Sequence, residues 1–146
     1  MELDRLLKVA LEMGASDIHL IPGHPPMVRV QTVMTPLDAP MLTPETAERM
    51  LKQMAAEGQL KVFEKVKDTD FSYEVKDLGR FRVNAHCQRN SVAIAMRAIK
   101  TEIPPLKDLN LPEVISRLTY LPRGLVLVTG GTGSGKSTTL AAMIDA

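Results

Sequence analysis

Residues 130–137 read Gly-Gly-Thr-Gly-Ser-Gly-Lys-Ser, the spacing G-x-x-x-x-G-K-[ST] of a phosphate-binding loop. The residue types dictate the chemistry. Glycines let the backbone curl so that successive N–H groups point inward at phosphate oxygens, and a helix beginning near Gly135 adds the positive end of its dipole. Lys136 is spaced to bridge the β- and γ-phosphates of a nucleotide, and the Ser137 hydroxyl to ligate Mg²⁺. The expected nucleotide contacts are Gly130, Gly131, Thr132, Gly133, Ser134, Gly135, Lys136, Ser137 and Thr138, with Ser137 as the metal ligand. A glycine-rich turn carrying Lys and Ser by chance would lack the flanks found here: an apolar run, Leu125–Val128, and a helix-compatible STTLAAMIDA.

Hydrolysis asks for more than a cradle. One carboxylate must complete the metal site and another must orient the attacking water, and both normally follow the loop in this fold class. The sequence to Ala146 supplies neither, so Lys136 is expected to bind here and to be catalytic only in a longer protein. A lone strand and a few helical turns cannot bury both their apolar faces, so residues 123–146 read as the truncated start of an α/β domain (strand, loop, helix).

Other groups with chemical potential are weaker. His86 and Cys87 are adjacent, point to opposite faces of a strand and cannot chelate one metal together. His19 lies at strand spacing from Asp17, which suggests a structural polar pair. The nine methionines, several on one face of a helix, suit core or interface gaps.

The elements that must position the loop begin with ELDRLLKVALEMG, where Leu3, Leu6, Leu7, Ala10 and Leu11 form one helical stripe and Gly14 a C-terminal cap. SDIHLI and MVRVQTV alternate as strands around PGHPP. LTPETAERMLKQMAAEG has Thr43 as N-cap, Pro44 at the first helical position and Gly58 following its end, and LKVFEKV suggests a short third helix. DFSYEV and RFRVNAH alternate about the turn KDLG as a hairpin, and SVAIAMRAI extends the sheet. Residues 1–100 thus read as an α+β domain with an antiparallel sheet, and the proline-rich residues 101–122 as a linker with a short helical stretch from Pro112.

At 146 residues the chain suits one domain plus a piece of another, and its 45% hydrophobic content suffices for a core. No apolar run approaches the ~20 residues of a membrane span. Lys and Arg number 18 against 17 Asp and Glu, without a basic cluster, which argues against nucleic acid. A single cysteine and a charged N-terminus fit a reducing cytoplasm and no signal peptide.

Taken in order, GASDIHL from Gly14, GHPPMVRV from Gly23, DTDFSYEV from Asp68, GRFRVNAHCQRN from Gly79 and PRGLVLVTGGTGSGKSTTLAAMID from Pro122 resemble the type IV pilus retraction ATPases, the twitching-motility branch of the type II and type IV secretion ATPases, over essentially the whole chain. The resemblance implies a PAS-like N-terminal domain and a RecA-like motor domain in a cytoplasmic hexameric ring. It implies ATP as nucleotide and the inner-membrane pilus platform protein as partner. It also places arginines of the N-terminal domain over the nucleotide; the matching positions are Arg82 and Arg97, with Arg80 and Arg89 weaker. A guanidinium suits the charge that builds up in phosphoryl transfer; solvated arginines on the polar side of a sheet are the alternative.

Two departures stand out: QTVMTPLDAP lacks the Asp-Gly or Asn-Gly hairpin turn frequent in the family, and Gly131 replaces a frequent proline. Rival readings are a pilus-assembly or type II secretion ATPase, against which PGHPP argues, and a non-catalytic oligomerisation or adaptor domain.

Overall fold

The computed structural model describes residues 2–99, 103–131 and 134–146, which fall into two compact units, Met1–Lys100 and Thr101–Ala146.

The first unit is built on six antiparallel strands: β1 (Asp17–Leu20), β2 (Met27–Val30), β3 (Val33–Pro36), β4 (Asp68–Val75), β5 (Gly79–Gln88) and β6 (Ser91–Ile99), in the spatial order β3-β2-β1-β6-β5-β4. Three helices accompany them: α1 (Leu3–Glu12), α2 (Pro44–Met54) and α3 (Glu57–Val66). The fold class is α+β, as the alternating strands and amphipathic helices imply. Alternation sends Ile18, Leu20, Val28, Phe71, Phe81, Val83, Ile94 and Met96 into one core with Leu3, Leu6, Leu7 and Ala10 of α1 and Met50, Leu51 and Met54 of α2. Each large side chain so buried contributes roughly 1.5–3 kcal/mol of transfer free energy.

The local signals behave as their chemistry requires. Thr43 Oγ1 accepts a hydrogen bond from the Thr46 amide at 3.2 Å ahead of Pro44. After α1 the chain turns through Gly14, whose φ of 73° a glycine adopts without strain. Helix α2 ends earlier than its periodicity suggests, at Met54, and Gly58 lies inside α3. The extended Ala55 and Ala56 break the helix, and Gln59 Oε1 then accepts from the Ala56 amide at 2.7 Å to start the next one.

MVRVQTV is not one strand: it holds β2, a turn and the first residue of β3. Gln31 and Thr32, with φ of 45° and 75°, form a two-residue hairpin turn that joins β2 to β3, with Val30 opposite Val33. The turn therefore survives without the Asp-Gly or Asn-Gly pair, and Arg29 Nη1 donates to the Thr32 carbonyl at 3.1 Å across it.

The second unit holds a 3-10 turn at Leu106–Leu109, helix α4 (Glu113–Leu118) and helix α5 (Lys136–Ile144), which packs against the 3-10 turn. The expected strand at Leu125–Val128 does not form. A strand exists through its ladder, and no partner runs beside these residues among those described, so Leu125 and Leu127 are 83% and 75% exposed.

Candidate functional site: a phosphate loop and an arginine pair

Helix α5 begins at Lys136 behind Gly135, whose φ of 88° turns the loop into the helix. Thr139 is the first residue to donate within the helix, to the Gly135 carbonyl at 2.9 Å. The amides of Lys136, Ser137 and Thr138 precede it and so are the donors that a helix start leaves for an anion. Gly130 has a φ of 150°, which favours glycine, and a Cβ there would lie 2.7 Å from Ser134 Oγ, so a larger residue would also push that hydroxyl aside. Gly131 faces open space instead. Its carbonyl accepts from Ser134 Oγ at 2.8 Å and from Lys136 Nζ, which folds the lysine back over the loop. Thr132 and Gly133, two of the expected contacts, lie outside the described residues.

Arg82 and Arg97 lie on the open face of the first unit's sheet. The register sets them directly opposite one another on β5 and β6, within a rung that runs Ser72, Arg82, Arg97, Asp17, Arg29 across five strands. Like charges facing each other across a ladder repel, and here each is countered by a carboxylate on its outer side. Asp17 Oδ1 accepts from Arg97 Nε at 3.0 Å, and Asp70 Oδ1 stands 3.6 Å from Arg82 Nε.

Asp17 is the most engaged group of the rung. Ser16 Oγ donates to its Oδ2 at 2.9 Å, and Arg29 Nε lies 3.4 Å from the same oxygen. Burial raises its pKa, but the Ser16 and Arg97 hydrogen bonds and the charges of Arg97 and Arg29 outweigh this and hold the carboxyl below its ordinary range. The expected partnership of Asp17 with His19 does not form among the described residues; His19 stands instead between Ala95 and Met27, two rungs along the ladder. Sequence reasoning missed Asp17 as an arginine anchor because the β1–β6 pairing spans 80 residues, and Asp70 because it meets Arg82 diagonally across the β4–β5 hairpin, where Ser72 stands directly opposite. The one local signal was a polar Asp flanked by Ser in a strand that alternates.

The remaining candidates go elsewhere. Arg80 is paired with Glu74 at 3.1 Å directly across the β4–β5 ladder, and Arg89 forms the β5–β6 turn with Asn90 at φ of 48° and 63°. His86 Nδ1 lies 3.0 Å from Asn84 Oδ1, and Asn84 Nδ2 donates to Asp68 at 2.9 Å, which makes this corner a structural polar chain.

A glycine loop that opens a helix, preceded in the chain by a separate antiparallel α+β unit, defines a P-loop protein with an N-terminal accessory unit. The chain belongs to the Type II/IV secretion system protein family, whose model matches residues 1–146. It is 43% identical over 145 residues to the type IV pilus retraction ATPase PilT of Pseudomonas aeruginosa, an alignment that covers 99% of this chain and 42% of that protein. The type IV pilus ATPase PilU of the same organism is 40% identical over 144 residues, covering 99% of this chain and 38% of its own. Among solved structures, the pilus retraction motor PilT with bound ADP superposes with a TM-score of 0.92 at 45% identity, over 99% of this chain and 43% of that one. The ATPase DotB of Legionella pneumophila gives 0.80 at 31% identity, over 97% and 41%. The chain thus spans less than half the length of each of these relatives.

Proposed function

We propose that this chain works in an ATP-driven motor that retracts type IV pili, and that its share of the work is to cradle the nucleotide phosphates and to supply two arginines to them. The observation that carries the reading is the match to a pilus retraction ATPase over 99% of the chain, a span that includes the loop and both arginines.

The loop fits a nucleotide on its own geometry: positive-φ glycines at 130 and 135, and helix-start amides at 136–138. Lys136, which donates to the Gly131 carbonyl, exchanges that acceptor for phosphate oxygens. Ser137 stands in the first turn of α5, where its hydroxyl would hold Mg²⁺, an ion that neutralises phosphate charge during transfer. Arg82 and Arg97 offer guanidinium donors to the charge that accumulates on the transferred group. Because they belong to a unit distinct from the loop, their approach couples movement of the units to nucleotide state.

The reading includes a cytoplasmic hexameric ring of copies, a RecA-like motor domain over residues 123 onward, and an inner-membrane platform protein as the partner. The 40% identity to PilU keeps a different pilus ATPase role as the second reading.

The test is a chimera in which residues 1–146 replace the matching segment of the Pseudomonas aeruginosa retraction ATPase. Hydrolysis of ATP and twitching restored in a strain lacking that ATPase are expected, with both abolished by Lys136→Ala. A folded chimera that hydrolyses ATP yet restores no twitching sinks the retraction role; rescue of a strain lacking the other pilus ATPase alone establishes the second reading.

A further inference from the structure

We propose that Asp17 is a positioning residue that sets the direction of the Arg97 guanidinium, so that its two terminal nitrogens face outward as a ready fork for a phosphate oxyanion. The proposal rests on the phosphate-facing role of Arg97 advanced above.

The geometry is that of a clamp with one open side. The Asp17 side chain is 16% exposed while that of Arg97 is 71% exposed, so a largely buried carboxylate holds an exposed cation by its inner nitrogen. One carboxylate oxygen is occupied by Ser16 Oγ at 2.9 Å and approached by Arg29 Nε at 3.4 Å. The other takes Arg97 Nε at 3.0 Å. Arg29 is itself tied to the β2–β3 turn through the Thr32 carbonyl, so the clamp is anchored to backbone. Among the described residues, Arg97 uses only Nε in side-chain hydrogen bonds, which leaves Nη1 and Nη2, the pair whose planar fork matches two phosphate oxygens, for a ligand.

Three considerations make the clamp necessary. A free arginine has many rotamers, and holding one of them in advance removes an ordering cost from the reaction. Arg82, opposite in register, repels Arg97 and would turn it aside. The Arg82 anchor is looser, since Asp70 is 55% exposed and 3.6 Å away, so the rung has one built clamp rather than two. The depressed pKa of Asp17 agrees with a carboxylate that stays ionised between these cations.

Two measurements test this. On the 146-residue chain, the Arg97 Nε–H resonance in a proton–nitrogen NMR spectrum is expected to exchange slowly with water relative to that of Arg89, and Asp17→Asn is expected to remove the difference. An Arg97 Nε–H that exchanges as fast as Arg89 in the unsubstituted chain overturns the clamp, whatever Asp17→Asn does to folding. In the chimera, Asp17→Asn is expected to lower kcat about tenfold with KM within twofold, the signature of lost orientation. Combined with Arg97→Ala it is expected to add nothing further, because the two act through one guanidinium. An equal loss from Asp17→Asn with and without Arg97 means a purely structural role and overturns the proposal. If Arg97→Ala itself leaves kcat unchanged, the phosphate-facing role of Arg97 fails, an outcome separate from failure of the clamp.

Discussion

Gly130 and Gly131 are neighbours with opposite demands. At Gly130 the φ of 150° favours glycine and a Cβ would also displace Ser134 Oγ, 2.7 Å away; at Gly131 a Cβ meets nothing within 4 Å. Gly130→Ala should weaken Mg-ADP binding by the chimera at least about tenfold, while Gly131→Ala stays within about twofold, read by calorimetric titration. Equal losses would mean that the loop geometry is not what binds. Asp17 gives a prediction in pH. Its folded-state pKa lies below the ordinary value because its arginine and Ser16 contacts outweigh burial, so its contribution is present above the unfolded-state pKa of about 4 and is lost as pH falls through the lower folded value. Asp17→Asn should cost about 1–2 kcal/mol at pH 7 and progressively less toward pH 2, measured by denaturant unfolding across that range. A cost that does not shrink in acid would show that its charge is not what stabilises.

Elements were legible in proportion to how local their causes are. The stripe Leu3, Leu6, Leu7, Ala10 and the alternation of Phe81, Val83 and Ala85 state helix and strand within a single window, and the buried residues are those the pattern nominates. The β2–β3 turn was not legible, because Gln31 and Thr32 are poor residues for positive φ and only the pairing of Val30 with Val33 reveals it. Nor was the fate of Leu125–Val128, since a strand sequence becomes a strand only beside a partner. The candidate site divides the same way: the phosphate loop is a contiguous motif legible within one window, whereas the Arg82–Arg97–Asp17 rung depends on the register of β1, β5 and β6. The strained turn carries its own test. A β-branched residue at a φ of 75° costs roughly 1–2 kcal/mol, part of which a glycine returns through its freer unfolded chain. Replacing Gln31-Thr32 by Asn-Gly should therefore stabilise the first unit by about 1 kcal/mol and raise its Tm by roughly 4–8 °C in a thermal melt. No rise would mean that neighbouring contacts, such as the Arg29 bond to the Thr32 carbonyl, already relieve the turn.

The two units differ in what holds each of them. The buried core cluster draws all its members from Leu3 to Met96, and among the described residues the second unit adds only Ala142 to the buried hydrophobic set. Its Leu121, Leu125, Leu127 and Ile144 are 58%, 83%, 75% and 85% exposed, so its apolar surface contributes little burial to its own stability. The first unit should then fold by itself. Residues 1–100 made alone are expected to melt cooperatively within a few degrees of the 146-residue chain, and Phe81→Ala, at a side chain 1% exposed, should cost about 3–5 kcal/mol in either context. In hydrogen exchange on the whole chain, the amides of β1, β5 and β6 should be protected by orders of magnitude more than those of α4 and α5. The same asymmetry sets the expectation for ligand: a cradle mounted on a marginally packed unit spends part of its binding free energy on ordering that unit, so the 146-residue chain should bind Mg-ATP more weakly than the chimera, by at least about tenfold. Equal affinity in the two would mean that the loop is organised by residues 103–146 alone and that sparse packing of the second unit does not limit its affinity for phosphate.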